Sequence, residues 1–574
     1  MKNVILKSGR LLAPMTLLMW LAGTATAAVP GISGTTFNLT AQPAFLNQPD
    51  GAAIYSWGYG CSSPTGNPFV PAGSAAIAGA TCPTMQVPGP TLVVTEGQSI
   101  AVTLTNNLPT AAGNTSILFP GFTVTAVGGV AGLLTQEAAP GSSVTYTFTA
   151  SAPGTHAYYS GTQGDLQIEM GLYGAVVVLP ASVPANCTTG YHAANLTAKA
   201  HWGETDFRLA NAAGAKGAAY DHPGSCYDRE YLFQWAEIDA RIHQQALAQV
   251  TARTGCTAGA AGCSLDVQTE PYHPAYFLIN GRSMPDLMDP NFAGEYPHQP
   301  YNANPHMHPG ELTLIRTIGQ GRWQHPFHEH ANHVRILARD GNLILSGSTT
   351  PISYSTPGGT AVSAQGLAGT LMFNTDTTPG ESFDGIFYFT GRGLNWDPYG
   401  HHPGDTADPL ASLSCTPDVN GYNTVDPTAL NFFEWCQDHN KPLQVNPFGD
   451  VAAGGPATLP DPNVFTNGAW YGGSPYLGPD ATLRGNAPAC VGSPYGTPNP
   501  TTPSGAAGTP AVNTANCTNL QPANLQLNPA NERGWAFMWH SHNEREITTN
   551  NVFPGGMLMM MLVDTREFVI DESL

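Results

Sequence analysis

Two short histidine-rich motifs have the residue types and spacing needed for metal chemistry. The first is the hexapeptide His-Pro-Phe-His-Glu-His that begins at His325, and the second is the tripeptide His-Ser-His that ends at His542. On a β-strand, alternate side chains point to the same face. Each motif therefore predicts a pair of imidazoles on one face, His328 with His330 and His540 with His542. Because imidazole is a ligand for copper, zinc, iron and nickel, the motifs predict a transition-metal site.

Three acidic residues lie in or close to these motifs. Glu544 and Glu546 could ligate a harder ion such as manganese or iron, although solvated surface charges are the simpler interpretation. Glu329 alternates away from the face that carries His328 and His330, so we expect it to be structural. One histidine pair alone would be a weak signal, and two pairs in apolar, strand-like stretches are a stronger one.

The elements that must position these motifs are mostly short strands separated by turns. Their spacing is typical of an all-β sandwich or barrel. One amphipathic helix is predicted over residues 236–251. Strands are predicted at 91–95, 100–105, 143–149, 174–179, 227–235, 275–279, 311–317, 334–338, 385–390, 534–540 and 556–563.

Several motifs in this chain resemble those of the multicopper oxidases. Val-Pro-Gly-Pro-Thr at 87–91 resembles the family's opening strand, and Phe-Leu-Ile-Asn-Gly at 277–281 resembles part of a second barrel. The hexapeptide at His325 resembles the family's His-Pro-Phe-His-x-His motif, and the tripeptide that ends at His542 resembles its His-Cys-His motif. The resemblance covers most of residues 85–180, 225–391 and 531–563.

This resemblance implies an all-β fold of two cupredoxin-like Greek-key β-barrels. We predict the first barrel over residues 31–180, a polar connector over 181–224 and the second barrel over 225–574. A Gly-, Pro-, Asn- and Thr-rich stretch at about 393–530 is predicted to be a long, disulfide-rich insertion in the second barrel, and its protein partner is not specified by the sequence. The resemblance is also compatible with a homotrimer that holds metal between subunits.

The amino-terminal copper motifs of the family are not kept in this chain. Leu118 and Pro120 stand where the first histidine pair is expected, and Tyr159 and Gly161 stand where the second is expected. Four of the eight histidines of a trinuclear copper cluster are therefore missing. We expect the four histidines of the second barrel to converge on one pocket, with these four residues of the first barrel as its opposite wall.

The family's blue copper site is also altered. His325 matches the first histidine of that site, but Ser541 stands in the cysteine position and Glu546 in the second histidine position. A serine hydroxyl cannot supply the soft thiolate that defines a blue copper site. Laccase-type catalysis is therefore not expected.

The amino-terminal segment and the cysteines indicate an extracytoplasmic protein. Residues 1–27 have the basic, apolar and small-residue regions of a secretory signal peptide, and no later segment is apolar enough to span a membrane. Ten cysteines in an exported chain predict up to five disulfides between sequence neighbours. These are Cys61–Cys82, Cys187–Cys226, Cys256–Cys263, Cys415–Cys436 and Cys490–Cys517.

The charge balance narrows the choice of partners. The chain has a net charge of −20, which becomes −23 without the three basic residues of the signal peptide. Such a charge argues against nucleic acid as a partner and is compatible with a metal cation.

We therefore predict a periplasmic or secreted copper protein with metal ligands among His325, His328, His330, His540 and His542. It could be an oxidoreductase with a mono- or dinuclear site. The alternatives are a non-enzymatic cupredoxin scaffold and a metal-storage or delivery protein. No organic cofactor and no catalytic residue is predicted, and the sequence does not name a substrate.

Overall fold

The computed structural model describes residues 29–63, 66–77, 79–204, 217–356, 358–390, 414–436, 473–476, 534–564, 566 and 569–572. The predicted signal peptide, most of the predicted insertion, and Cys490 and Cys517 lie outside these residues. Within the described part of the chain, no helix is both long and apolar enough to cross a membrane.

The first β-sandwich consists of two five-stranded sheets, with strand orders β11-β12-β5-β1-β4 and β3-β2-β6-β10-β7. Strands that are distant in sequence lie side by side in both sheets, as in a Greek key. The ten strands are β1 (Gly31–Ser33), β2 (Thr36–Asn47), β3 (Ala53–Cys61), β4 (Phe69–Val70), β5 (Leu92–Thr95), β6 (Ser99–Asn106), β7 (Thr125–Gly128), β10 (Ser143–Thr149), β11 (Gly154–Tyr159) and β12 (Tyr173–Leu179). Strands β8 (Val130–Ala131) and β9 (Gln136–Glu137) form a separate two-stranded sheet.

The second β-sandwich has one sheet that contains β14-β13-β16-β24-β18-β19 and another that contains β15-β27-β26-β17-β23. The histidine motifs lie in the second of these sheets, on β17 and β26. The strands are β13 (Arg229–Ile238), β14 (Tyr276–Ile279), β15 (His306–Met307), β16 (Leu312–Gly319), β17 (His325–Glu329), β18 (Val334–Arg339), β19 (Asn342–Leu343), β20 (Ile352–Tyr354), β21 (Val362–Ala364), β22 (Leu371–Met372), β23 (Asn374–Thr377), β24 (Ser382–Tyr388), β25 (Gly473–Tyr476), β26 (Gly534–Ser541) and β27 (Leu558–Asp564).

The predicted fold class, two cupredoxin-like Greek-key β-barrels, is confirmed. Strands with one face toward solvent alternate between buried and more exposed side chains. Ser143–Thr149 is an example, since it buries every second side chain. Strand Tyr173–Leu179 is buried along its whole length. Its Val176 and Val178 belong to the first core, whereas Ala175 and Val177 pack in a cluster with residues of the second barrel. The two barrels therefore contact each other through this strand.

Within the described ranges, three α-helices lie outside the sheets. They are α1 (Gly164–Gln167), α2 (Tyr191–His201) and α3 (Ala240–Ala252), and short 3-10 helices cover Ala72–Ala76, Thr110–Ala112, Ala185–Thr188 and Asp286–Met288. Helix α3 corresponds to the helix predicted over 236–251 but begins later, because β13 continues to Ile238 and Asp239 caps the helix. Helix α2 lies in the segment predicted to be a polar connector.

Four of the five predicted disulfides are confirmed. Cys61–Cys82, Cys187–Cys226, Cys256–Cys263 and Cys415–Cys436 are bonded. The fifth predicted pair lies outside the described residues. The bonded pairs are close in sequence, and each closes a loop of between 7 and 39 residues.

Candidate metal centre

The register of β17 and β26 places three histidines on one face of a sheet. His328 lies opposite His540, and Phe327 lies opposite Ser541. Phe327 packs into the core of the second barrel. Because neighbouring residues on a strand face opposite sides, His328, His330 and His540 share the outer face.

The ring nitrogens of these three histidines converge. One nitrogen from each of His328, His330 and His540 lies within 4.8 Å of the other two. The Nε2 atoms of His330 and His540 are 3.3 Å apart. Two nitrogens bound to one tetrahedral ion with bonds of ~2.0 Å would lie ~3.3 Å apart. The observed spacing therefore fits a metal ion held by imidazoles.

Backbone carbonyls orient two of the three rings. The Nδ1–H group of His328 donates to the carbonyl oxygen of Phe373 at 2.6 Å, and the Nδ1–H group of His540 donates to that of Ser541 at 2.7 Å. Since a carbonyl can only accept, each ring must carry its proton on Nδ1 in this contact. The Nε2 lone pairs are then left for the cluster, as is usual for histidines that bind metals through one nitrogen.

The surroundings favour the neutral form of His328 and His540. Burial, together with the neighbouring imidazoles of His330, His540 and His542, lowers the pKa of His328 to about 4. Burial also lowers the pKa of His540, and the nearby His542 ring lowers it as well. Neutral imidazole is the protonation state that binds a metal ion.

His542 lies at the rim of this group. Its ring centroid is 4.8 Å from that of His328 and 5.7 Å from that of His540. Its side chain is 54% exposed, and Nδ1 lies 3.9 Å from the exposed carboxylate of Glu544. A rotation of this exposed ring would be needed to bring a nitrogen to the other three.

His325 lies apart from this group, on the core face of the sheet. It is fully buried, and its two ring nitrogens contact different carboxylates. Nε2 is 2.8 Å from Glu237, and Nδ1 is 2.9 Å from Glu546. Although burial opposes a charged ring, hydrogen bonds to Glu237 and Glu546 raise the pKa of His325 to about 9. At this pKa, His325 in the metal-free protein is an imidazolium between two carboxylates at neutral pH, and it is not a member of the converging group.

Ser541 and Glu546, the two residues that differ from the blue copper pattern, belong to the buried group around His325. The Ser541 hydroxyl donates to Glu546 at 2.5 Å, and the backbone of Asn543 donates to the Ser541 hydroxyl at 3.2 Å. Glu237 is a partner that the sequence interpretation did not identify. Its signal is a carboxylate among the apolar residues Trp235, Ala236 and Ile238 at the end of a buried strand, where a buried charge requires a partner.

The buried hydrogen bonds continue from Glu237 into the first barrel. The Tyr272 hydroxyl lies 3.0 Å from Glu237 and 2.6 Å from Glu169. Glu169 in turn lies 3.5 Å from His243. Burial raises the pKa of Glu169, although the His243 imidazole opposes this shift. These contacts tie the position of His325 to the packing of the two barrels.

The predicted opposite wall is arranged differently in the structure. Leu118 pairs with Tyr159, and the ring of Tyr159 packs on a cluster that includes Leu232 and Ile318. Leu232 and Ile318 lie on β13 and β16, in the sheet that does not carry the histidines. The first barrel of the same chain therefore packs against the other sheet of the second barrel, which is the reason that Tyr159 does not form a wall over His328.

Comparison with known proteins supports the resemblance on part of the chain. Residues 79–182 match the family described as multicopper oxidase. The resemblance to the multicopper oxidase superfamily is confirmed. The matched segment lies in the first barrel and contains none of the five histidines predicted as metal ligands, so the match does not bear on the histidine cluster.

Two curated relatives match a similar length of chain. An L-ascorbate oxidase of Brassica rapa subsp. pekinensis is 36% identical over 98 residues, which are 16% of this chain and 16% of that protein. The laccase abr2 of Aspergillus fumigatus is 36% identical over 98 residues, 17% of this chain and 16% of that protein. The chain thus matches about one sixth of the length of each relative.

Two solved structures are similar over a larger share of the chain. The multicopper oxidase mgLAC is 18% identical and aligns with 61% of this chain and 74% of its own, with a TM-score of 0.34. A copper nitrite reductase from Nitrosomonas europaea is 17% identical and aligns with 62% of this chain and 84% of its own, with a TM-score of 0.33.

Proposed function

We propose that this chain is an exported, multicopper-oxidase-like metalloprotein that binds copper through His328, His330 and His540, with His542 as a fourth ligand after a ring rotation. The observation that carries this proposal is the convergence of three imidazole nitrogens within 4.8 Å on one face of the sheet. His325, the remaining predicted ligand, has a structural role in this proposal because both of its nitrogens contact carboxylates.

The donor set favours copper over harder ions. The three converging ligands are all imidazoles, and no carboxylate is a member of that group among the described residues. Imidazole suits copper, zinc, iron and nickel, and among divalent first-row metals a nitrogen site generally binds copper most tightly. Copper bound there would supply one-electron chemistry and would polarise a small oxidant.

The proposed site differs from a blue copper site. The cysteine position is Ser541, whose hydroxyl is already bonded to Glu546 on the core face. No thiolate ligand is therefore available next to His540 or His542. We infer a site with imidazole ligands only, and no laccase-type electron path through a cysteine.

Export is supported by the cysteines. Each of the eight cysteines in the described part of the chain is disulfide-bonded. Such bonds persist in the periplasm and outside the cell, and they are rare in the cytosol. Amino-terminal sequencing of the mature protein tests this proposal, and a start close to Ala28 is expected. A mature protein that retains residues 1–27 in the cytosol would contradict it.

Metal analysis of the protein purified from its native compartment tests copper binding. We expect one or two copper ions per chain, and we expect a double substitution, His328→Ala with His540→Ala, to abolish this content. His273→Ala is the matched control, because His273 is an exposed histidine of the same barrel. A protein without copper, or copper retained by the double variant, would contradict the proposal.

An assay of oxidant consumption distinguishes an oxidoreductase from a storage or delivery protein. An oxidoreductase should consume a small oxidant in step with an added electron donor, and His328→Ala should stop this reaction. A storage protein should bind copper to the same stoichiometry and consume neither reactant. A pure scaffold should bind no copper, and it has no physical need for converging imidazoles.

A further inference from the structure

A cleft lies on the outer face of the sheet that does not carry the histidine cluster. Its floor is formed by neighbouring strands, since Leu312 pairs with Tyr388 and Arg335 pairs with Ile386. The opposite face of these strands packs into the core of the second barrel, through residues such as Phe387. The cleft is covered by α2, by the hairpin β20–β21 and by the segment 414–436.

The cleft has the size of a small-molecule site. It consists of two adjoining cavities of about 700 Å³ and about 510 Å³. Both are lined by Leu312, Thr356, Tyr388 and Tyr422, so they lie next to each other. Ligand pockets in proteins typically enclose about 300–1,000 Å³ and are lined mainly by apolar and aromatic side chains.

Three tyrosine side chains line the larger cavity. Tyr388 belongs to the sheet, and Tyr354 belongs to the covering hairpin. The Tyr354 ring is held by an edge contact to His222, with centroids 5.2 Å apart. The Tyr422 ring is stacked on Phe433, with centroids 5.0 Å apart. Fixed rings of this kind favour a flat aromatic ligand.

Polar atoms that line the cleft lack partners within the described part of the chain. Asn186 is 3% exposed, and its amide nitrogen donates to the carbonyl of Pro223 at 2.8 Å, but its Oδ1 accepts no hydrogen bond. The hydroxyl of Thr356 is also buried and unpartnered. Such atoms cost free energy unless a ligand or water bonds to them.

The charges around the larger cavity favour an anion. None of the described residues that line it is an aspartate or a glutamate. Arg335 lines it, and one of its guanidinium nitrogens donates to the carbonyl of Gly369 at 2.9 Å. His192 also lines it, but that ring is balanced by Asp228 at 3.0 Å. Arg335 is therefore the cation that lacks a carboxylate within the cavity wall, and a guanidinium pairs well with a carboxylate.

We propose that this cleft binds an aromatic carboxylate of one or two rings. The rings pack against Tyr354 and Tyr388, and the carboxylate pairs with Arg335. The site is separate from the histidine cluster and does not depend on copper binding.

Calorimetric titration of the full chain with 2-naphthoate tests the proposal. We expect saturable binding of one molecule per chain, and binding about tenfold or more weaker for 2-naphthamide, which has the same shape without the charge. Octanoate, which keeps the carboxylate without the rings, should also bind about tenfold or more weakly. Absence of naphthoate binding at millimolar concentration, or equal affinity for all three compounds, would overturn the proposal.

Substitution of the cation locates the site. Arg335→Gln should weaken naphthoate binding about tenfold or more and leave naphthamide binding unchanged. Arg339→Gln is the matched control, because Arg339 lies on the same strand and pairs with Glu381 outside the cavity lining. Tyr354→Leu should weaken both naphthalene compounds alike. Equal losses in the Arg335 and Arg339 variants would show that naphthoate binds elsewhere and would overturn the assignment.

Discussion

The histidines on β17 and directly after it lie in two environments that differ in the charged groups around them. On the outer face, His328 and His330 are surrounded by other imidazoles, and burial lowers the pKa of His328 to about 4. On the core face, His325 lies between Glu237 and Glu546, which raise its pKa to about 9. The neutral imidazole of His328 is suited to accept a cation. The inner group already contains its own cation, the imidazolium.

Strand geometry explains how one hexapeptide places histidines in two environments. Residues 328 and 330 are two positions apart and share a face, whereas 325 is three positions from 328 and points to the other face. Ser541 shares the core face with His325 in the same way, between His540 and His542. Ser541 and Glu546, which the sequence comparison predicted at the thiolate and second-histidine positions, both contact the inner group, whereas the converging imidazoles lie on the outer face.

The largest expected effect concerns the inner group. His325→Gln should lower the free energy of unfolding by about 3–5 kcal/mol, because it leaves two buried carboxylates without their cation. His328→Gln, on the outer face, should cost about 1 kcal/mol or less. Urea unfolding of the two metal-free variants measures both effects. Equal destabilisation would contradict the distinction between the two environments.

The next effect concerns copper affinity. His540→Ala should weaken copper binding about 100-fold or more, since even residues that only orient a metal ligand contribute 10–100-fold. His325→Gln should leave the affinity of folded protein within about threefold. Competition with a copper chelator of known affinity measures both values. A loss of copper affinity confined to the His325 variant would place the metal on the core face.

A smaller effect is expected from pH. The folded-state pKa of His325, about 9, lies above the value of ~6.5 for an unfolded histidine, so its stabilising effect is complete below pH ~6.5 and is lost as the pH rises through 9. The stability difference between the wild type and His325→Gln should therefore shrink between pH 7 and pH 10. Urea unfolding across this range measures the trend, and a difference that grows with pH would contradict it.

The smallest expected effect is that of restoring one blue-copper residue. Ser541→Cys should not produce an intense blue band in the copper-loaded protein, because Glu546 still occupies the position of the second histidine and His325 remains paired with carboxylates. Absorption spectroscopy after copper loading tests this, with His540→Ala as the variant without the outer site. An intense blue colour in Ser541→Cys would mean that the core face still holds copper.

Most strands could be predicted from the sequence because half-buried strands alternate. Ser143–Thr149 follows its predicted range for this reason. Helix α2 could not be predicted in this way, because its buried face includes His192 and Lys199 rather than an apolar stripe. Those side chains are held by the distant Asp228, through its carboxylate and its carbonyl oxygen.

The site could be predicted only in part. The convergence of His328, His330 and His540 follows from strand periodicity and from the pairing of β17 with β26. The separate position of His325 also follows from periodicity, since its spacing of three from His328 is visible in the sequence. Its partner Glu237 depends on tertiary packing, and so does the choice of the sheet that contacts Tyr159.

Electron paramagnetic resonance of the copper-loaded protein, prepared with nitrogen-15-labelled histidine, tests the central claim most directly. The account predicts a copper signal with three or four imidazole nitrogens, unchanged in His325→Gln and altered in His328→Ala and in His540→Ala. It also predicts no thiolate-to-copper charge-transfer band in the same sample. A signal that is lost in His325→Gln and preserved in His328→Ala would contradict the account, because copper would then lie on the core face and not on the outer face.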